Sequence, residues 1–319
     1  MEQADVRRML AEAARQEIEV TPLINSFGHS QWLYQNDHHR HLADNPDNPR
    51  TYDPTKPEVY RIVEEIYEEA IALFRPRMFH VGKDEIDQYG FPEGVESRKH
   101  TTTEWMRRDI LHWHKFMTER GLRMAVWSDM FLAGGEANSA ASAPNTTESK
   151  ARRANLPKDV MMFDWHYVPA KPAGYKSVPL WLDEGFDTVV CPWDKPANIV
   201  TIAKAAANER AKAASAPAGR GEALGLLQTT WAGYSNDTKA FMAHQKQFQA
   251  YLLAAEAAWT GGADSVDEVP FDYAAEFGRI WLRGELPRAG APGWTTDLGG
   301  VANFDLGDEA NARWLGYAS

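Results

Sequence analysis

The sequence predicts an α/β fold of the (β/α)8 type, a TIM-type barrel, and three observations lead to this prediction. Short apolar segments alternate with longer segments whose apolar residues recur at helical spacing. The short segments are apolar nearly throughout, which is typical of parallel strands that are covered by helices. Polar and aromatic residues directly follow each of these strands, at the end where barrels of this type carry their functional sites.

The predicted strands number about six, whereas a complete barrel of this type has eight. In chain order they are 17–25, 77–81, 123–128, 160–167, 188–193 and 224–230. The sequence therefore predicts a barrel that is incomplete at the N-terminus. The alternative is an open doubly wound sheet, which would collect its ligand-binding residues at one or two switch points. Polar residues at all of the strand ends favour the barrel.

The helices are predicted from the spacing of apolar residues. Met106, Ile110, Trp113 and Met117 follow one another at intervals of four, three and four residues, and Gly121 ends that helix. Similar patterns predict helices before residue 16 and over 59–74, 179–186, 203–214 and 238–259. The small and polar residues of 133–157 predict a long loop on the face of the barrel that carries the site.

The domain prediction assigns residues 1–264 to the barrel and residues 265–319 to a C-terminal tail packed on it, in which a further hairpin is considered over 294–306. The open edges of an incomplete sheet are prone to pair with other strands. A homo-oligomer, in which a second copy of the chain pairs with these edges, is therefore considered.

Composition limits the partners and the compartment. The net charge of −11 argues against nucleic acid and anionic membrane surfaces. We find no apolar run of about 18 residues, so no membrane span is predicted. Cys191 is the single cysteine and cannot form an internal disulfide. Met1–Leu10 is charged and does not resemble a signal peptide. The compartment is therefore left open: the protein is expected to be cytoplasmic, or secreted if further sequence precedes Met1.

The most informative segment follows the second predicted strand, where Gly82 and Lys83 precede two adjacent acids, Asp84 and Glu85. Neighbouring side chains on a strand point to opposite faces. These two carboxylates can therefore face one ligand only if the chain leaves the strand, and Gly82 permits such a bend. An isolated Asp-Glu pair is usually solvated surface charge, so the segments around it decide its meaning.

The run Phe79-His80-Val81-Gly82-Lys83-Asp84-Glu85 resembles the His-Ile-Gly-Gly-Asp-Glu signature of the β-N-acetylhexosaminidases, glycoside hydrolase family 20. Other segments resemble the same family in the same order, from about Glu17 to Trp259. They are Pro22-Leu23-Ile24-Asn25-Ser26-Phe27-Gly28-His29, Trp127-Ser128-Asp129, Trp165, Leu226-Leu227-Gln228-Thr229-Thr230-Trp231 and Ala254-Ala255-Glu256-Ala257-Ala258-Trp259.

The resemblance implies an exo-acting glycoside hydrolase that removes terminal N-acetylhexosamine residues from a glycan. Enzymes of this type are substrate-assisted and retaining, because the acetamido oxygen of the sugar attacks its own anomeric carbon. The resemblance implies that Asp84 orients the acetamide group and that Glu85 serves as general acid and base, with a raised pKa expected for Glu85. It implies no cofactor and no metal ion.

The expected substrate-binding residues come from the resemblance and from the strand ends: His29, His80, Trp127, Trp165, Tyr167, Trp193, Asp194 and Trp231. The tryptophans would wall the pocket and stack on the sugar. The two histidines would tune the carboxylates. The acetamide carbonyl would be bound by Trp193 or Tyr167.

Several positions depart from the family pattern, and they leave alternatives open. Leu23 and Asn25 stand where the family has acids, Lys83 replaces a glycine, and Gly233 replaces a glutamate that binds sugar hydroxyls. Segments corresponding to the first two strands are not found in the sequence. One alternative is a non-catalytic carbohydrate-binding or inactive truncated relative.

Another alternative is a two-carboxylate glycosidase on the same barrel, with Asp129 or Asp194 as the second acid. The histidine-rich run 37–41 is interpreted as an exposed loop and not as a metal site, because sequence neighbours seldom converge on one ion.

Overall fold

The computed structural model describes residues 2–154, 156–215, 217–233 and 242–281. The chain divides into two compact units. The first contains the residues up to Trp165 together with Tyr175–Val190 and Glu209–Leu224. The second contains His166–Gly174, Cys191–Asn208 and the residues from 225 onward. The predicted division at residue 264 stays a prediction.

The strands form one six-stranded sheet in which the spatial order follows the chain order. Their bounds are β1 Leu23–Ser26, β2 Met78–Gly82, β3 Arg123–Trp127, β4 Met161–Trp165, β5 Thr188–Cys191 and β6 Ala223–Leu226. The pairs β1–β2, β2–β3 and β3–β4 are parallel. The predicted fold class and the six strands are thus confirmed. β1 and β6 are the outer strands of this sheet, and their pairing with a second copy stays a prediction.

Helices lie between the strands along the chain, as a parallel sheet requires. Their bounds are α1 Gln3–Arg15, α2 Pro57–Phe74, α3 Thr102–Thr118, α4 Thr146–Ala154, α5 Ser177–Asp183, α6 Pro196–Ala211, α7 Gln245–Thr260 and α8 Tyr273–Trp281. The start of α3 is fixed by a capping box, in which the Thr101 hydroxyl accepts from the Glu104 amide and the Glu104 carboxylate accepts from the Thr101 amide.

The prediction of a loop throughout 133–157 is wrong, because α4 lies within it. The Asn145 side chain accepts the amide hydrogens of Thr147 and Glu148, at 3.0 Å each, and caps the helix. The buried face of α4 includes Arg152 and Arg153, which hydrogen-bond loop carbonyls in place of apolar packing. A helix without an apolar stripe gives no hydrophobic pattern, which is why the sequence did not predict it.

The core of the first unit is rich in large side chains, and Trp113, Tyr67 and Phe79 are fully buried in it. The second unit has a smaller core, in which alanines of α6 and α7 pack around Leu253. No helix in the described part of the chain combines the length and hydropathy needed to cross a membrane.

Of the predicted tail, the structure describes a short 3-10 helix, Val266–Glu268, and α8. The hairpin considered over 294–306 lies outside the described residues.

Candidate active site

The chain bends sharply where β2 ends. Gly82 has a positive φ of 77°, and a Cβ atom at this position would lie 2.4 Å from Oδ1 of Asn25 on β1. In the loop after β1, a Cβ atom on Gly28 would lie 2.6 Å from the carbonyl oxygen of Asp84. Glycine is therefore required at both positions, and the two loops approach each other as closely as backbone permits.

The residues flanking these glycines have left-handed backbone angles that side chains rarely adopt. The φ angles are 73° at Phe27, 50° at His29, 84° at Lys83 and 53° at Glu85. Each such residue costs on the order of 1–3 kcal/mol, so the surrounding contacts must hold it in place. These backbone angles turn the chain out of the strand, so the side chains of the two adjacent acids no longer point to opposite faces.

As a result, Asp84 and Glu85 both face His29. The Nε2 atom of His29 lies 3.0 Å from Oε2 of Glu85 and 3.3 Å from Oδ2 of Asp84. The other oxygen of Asp84, Oδ1, is buried and has no hydrogen-bond partner among the described residues. The site therefore offers one imidazole between two carboxylates, whose side chains keep 15% exposure at Asp84 and 24% at Glu85.

Asp129 supports this group from the end of β3. It is fully buried, and its Oδ2 atom accepts the Glu85 amide hydrogen at 3.0 Å and the Ser142 hydroxyl at 2.8 Å. Its Oδ1 atom accepts the indole N–H of Trp165 at 3.1 Å. Burial raises the pKa of Asp129, which its hydrogen bonds oppose. The sequence predicts Asp129 only as an alternative acid, and nothing in the sequence marks Ser142 as part of the site.

The pKa values of the two acids are shifted in opposite directions. Burial raises the pKa of Asp84 to about 7, against the opposing effect of His29. The hydrogen bond from His29 lowers the pKa of Glu85, which is only half-buried. Burial disfavours the charged form of His29, but the hydrogen bond to Glu85 and the charge of Asp84 outweigh it and raise the pKa of His29. The raised pKa predicted for Glu85 is therefore not found in the unliganded site.

Two of the predicted substrate-binding residues lie in the interior. His80 on β2 is 2% exposed, and Trp127 on β3 is 4% exposed, with ring centres 4.5 Å apart. Burial lowers the pKa of His80 to about 3, so its ring is neutral. The Gly82 amide donates to Nδ1 of His80 at 3.1 Å. These positions favour support of the β2 strand end over direct contact with a substrate.

The second unit contains an aromatic cluster formed by Tyr167, Trp193 and Trp231. The rings of Tyr167 and Trp193 lie 5.5 Å apart, and the indole N–H of Trp231 donates to the Tyr167 hydroxyl at 2.9 Å. Gln247 on α7 accepts the indole N–H of Trp193 at 2.7 Å and the Trp231 amide at 2.6 Å. Trp231 is 49% exposed. Gln247 was missed, because a glutamine within a helix carries no pattern.

Asp194, the remaining predicted residue, lies beside this cluster in the chain and lines a cavity of about 440 Å³ with Lys195, Lys246 and Tyr273. For metal binding, one ligand atom from each of His29, Asp84 and Glu85 lies within 4.8 Å of the others. These three residues could hold one ion. The prediction that the protein needs no metal stays a prediction.

Comparison with known proteins identifies the family. Residues 1–262 match the model of the glycosyl hydrolase family 20 catalytic domain. The chain is 23% identical to Beta-hexosaminidase 1 of Coccidioides posadasii, over 60% of this chain and 32% of that protein. It thus spans about a third of the length of the curated relatives that it matches.

Two solved structures share the fold. One is a β-N-acetylhexosaminidase, with a TM-score of 0.57 and 14% identity over 92% of this chain and 64% of the other. The second is the exo-β-N-acetylglucosaminidase of Vibrio harveyi in complex with N-acetylglucosamine, with a TM-score of 0.55 and 19% identity over 94% and 45% of the two chains. The chain belongs to glycosyl hydrolase family 20.

Proposed function

We propose that this chain carries the catalytic site of an exo-acting glycoside hydrolase that releases terminal N-acetylhexosamine from glycans by substrate-assisted, retaining catalysis. One observation carries the proposal: Asp84 and Glu85 leave the strand alternation and share His29, at 3.3 and 3.0 Å. Family membership supplies the reaction class, and the arrangement of the two acids supports a division of labour between them.

In the first step, the carbonyl oxygen of the sugar's acetamide group forms a bond to the anomeric carbon. The bond from that carbon to the leaving oxygen breaks, and Glu85 passes to the leaving oxygen a proton that it receives from the protonated His29 ring, 3.0 Å away. Asp84 accepts the acetamide N–H through the part of its carboxylate that is exposed, since its side chain keeps 15% exposure beside His29. Its negative charge then stabilises the positive charge that develops on the acetamide group.

In the second step, water attacks the anomeric carbon, and the bond to the acetamide oxygen breaks. The Glu85 carboxylate takes the proton of the water and returns it to the His29 ring, which restores the starting site. His29 supports both steps because its raised pKa keeps a proton beside Glu85 while the lowered pKa of Glu85 keeps the carboxylate available. The proton is therefore shared within the pair.

The aromatic cluster is assigned a separate task, the binding of sugar faces. Trp193 and Trp231 have their indole N–H groups bonded to Gln247 and Tyr167, which fixes the planes of the rings. Fixed aromatic faces bind the apolar face of a pyranose at little entropic cost. Trp165, whose indole is fixed by Asp129, is assigned the same task.

The test compares an aryl N-acetylglucosaminide with the corresponding aryl glucoside. We expect cleavage of the first alone, because only its acetamide oxygen can act as nucleophile. Glu85→Gln should lower kcat about 10³-fold, within the range for a general acid–base. The matched control is Glu65→Gln on the exposed face of α2, which should leave kcat unchanged.

Equal cleavage of both substrates would exclude participation of the acetamide and favour a mechanism with two protein carboxylates. Binding of the N-acetylglucosaminide without turnover would instead show a carbohydrate-binding relative. Both outcomes contradict the proposal in different ways, and the wild-type chain alone separates them.

A further inference from the structure

Lys83, the residue directly before the two acids, has no solvent exposure. Its Nζ atom donates to the Ser26 hydroxyl at 2.8 Å and forms an ion pair with the carboxylate of Asp109 on α3. Aromatic rings of Phe27 and Trp113 lie 5.8 and 6.0 Å from the ammonium group. The Lys83 side chain thus links the end of β2 to β1 and to α3 beneath the site.

Asp109 is equally buried, and its contacts are complete. It accepts the hydroxyls of Tyr52 and Tyr60 in addition to the Lys83 ammonium. The Tyr52 hydroxyl in turn accepts the indole N–H of Trp113 at 3.1 Å. A network in which every member is satisfied makes a unique, rigid arrangement.

Neither stability nor backbone conformation explains a lysine here. A buried ion pair is often no more stable than apolar residues of the same size. Burial lowers the pKa of Lys83, and Asp109 only opposes this shift in part. The φ angle of 84° suits glycine, which the family pattern has at this position, better than a residue with a side chain. A lysine at this position is therefore unfavourable for stability and for backbone conformation, which points to a role in the site.

We propose that the Lys83–Asp109 ion pair is a positioning device that fixes the backbone turn carrying Asp84 and Glu85. On one side of the acids, the Lys83 side chain holds the turn to Ser26 and Asp109. Between the two acids, Asp129 accepts the hydrogen of the Glu85 amide. One anchor directly before the acids and a second between them hold the turn that sets the directions of both carboxylates. The effect of this ion pair on catalysis rests on the proposed function, whereas its effect on the positions of the two carboxylates does not.

The experiment is a double-mutant cycle of Lys83→Met, Asp109→Asn and the double variant. Each single change leaves one buried polar partner uncompensated, and we expect the melting temperature to fall by about 10 °C. The double variant removes the charges together, so most of that loss should be recovered. The control is Arg220→Met, which breaks a largely buried ion pair with Glu209 and a more exposed one with Asp183, and should lower stability alone.

Two readouts separate positioning from stability, both taken at a temperature where all variants are folded. The first is kcat with the N-acetylglucosaminide, which should stay about a hundredfold low in the double variant despite its recovered stability, since a displacement of about 1 Å costs this much. The second is the pKa of the His29 ring by NMR, with the signal assigned from His29→Gln. This pKa is raised by Glu85 and Asp84, so it should fall once their positions relax.

The His29 titration decides the question even if the chain proves to have no hydrolase activity. A double variant whose kcat and His29 pKa both return to wild-type values would overturn the proposal and leave a purely structural ion pair. The same conclusion follows if Arg220→Met changes the His29 pKa as much as Lys83→Met does.

Discussion

The carboxylate cluster of the first unit and the aromatic cluster of the second unit are held in place by different means. Around Asp84 and Glu85 the backbone is left-handed, the neighbours are charged, and a buried ion pair lies underneath. The contacts described for Tyr167, Trp193 and Trp231 are ring contacts and uncharged hydrogen bonds to Gln247 and to one another.

In the proposed function, this difference separates chemistry from recognition. Carboxylates that must share protons need fixed distances and low solvent access, and strain is the cost of holding them there. Aromatic faces that stack on a sugar need only a fixed plane and partial exposure, which neutral hydrogen bonds provide. Changes in the carboxylate cluster should therefore alter kcat and pH dependence, whereas changes in the aromatic cluster should alter KM.

The largest effect is expected for Asp84→Asn. The amide cannot stabilise positive charge on the acetamide group, so kcat should fall about 10³-fold. Stability should move the other way. The folded pKa of Asp84 is raised to about 7, so its contribution to stability is full below about pH 4 and is lost as pH rises through about 7. Asparagine removes this loss and should add about 2 kcal/mol to the free energy of unfolding at pH 8.

The measurement is urea unfolding of both proteins at pH 4 and pH 8, together with kcat. Asp47→Asn is the control, since this carboxylate is exposed to solvent. A variant that is inactive but no more stable at pH 8 than the wild type would show that Asp84 is not the desolvated member of the pair.

The strand ends could be predicted from sequence because they depend on local patterns, and the acid pair could be predicted from its resemblance to a family signature. Apolar runs mark β1 to β6, and Gly82 marks the bend before Asp84. The partners of these residues could not be predicted, since contacts such as Lys83 with Asp109 depend on which helix packs behind which strand. The pKa of Glu85 is lowered, whereas the sequence predicts a raised one, and the reason is the same. His29 is distant in sequence, but its Nε2 atom lies 3.0 Å from Oε2 of Glu85.

A smaller effect, about 10- to 100-fold in kcat/KM, is expected for His29→Gln. Without the imidazole, the pKa of Asp84 rises further. In addition, no protonated ring remains beside Glu85 to supply a proton at high pH. The bell-shaped pH profile should therefore narrow from both sides. The profile is measured with and without a chelator, because these side chains could bind an adventitious ion. A pH profile of unchanged width would contradict the sharing of a proton between His29 and Glu85.

The smallest effect, about tenfold in KM, is expected for Trp231→Ala. Stacking on an aromatic face contributes about 1 kcal/mol beyond area burial, and its loss weakens substrate and transition state alike. Turnover at saturating substrate and the pH profile should therefore stay as in the wild type. Trp259→Ala is the control, since this tryptophan is 91% exposed and lies outside the aromatic cluster. A loss of kcat with unchanged KM would mean that Trp231 acts in the chemical step, and the separation of chemistry from recognition between the two clusters would fail.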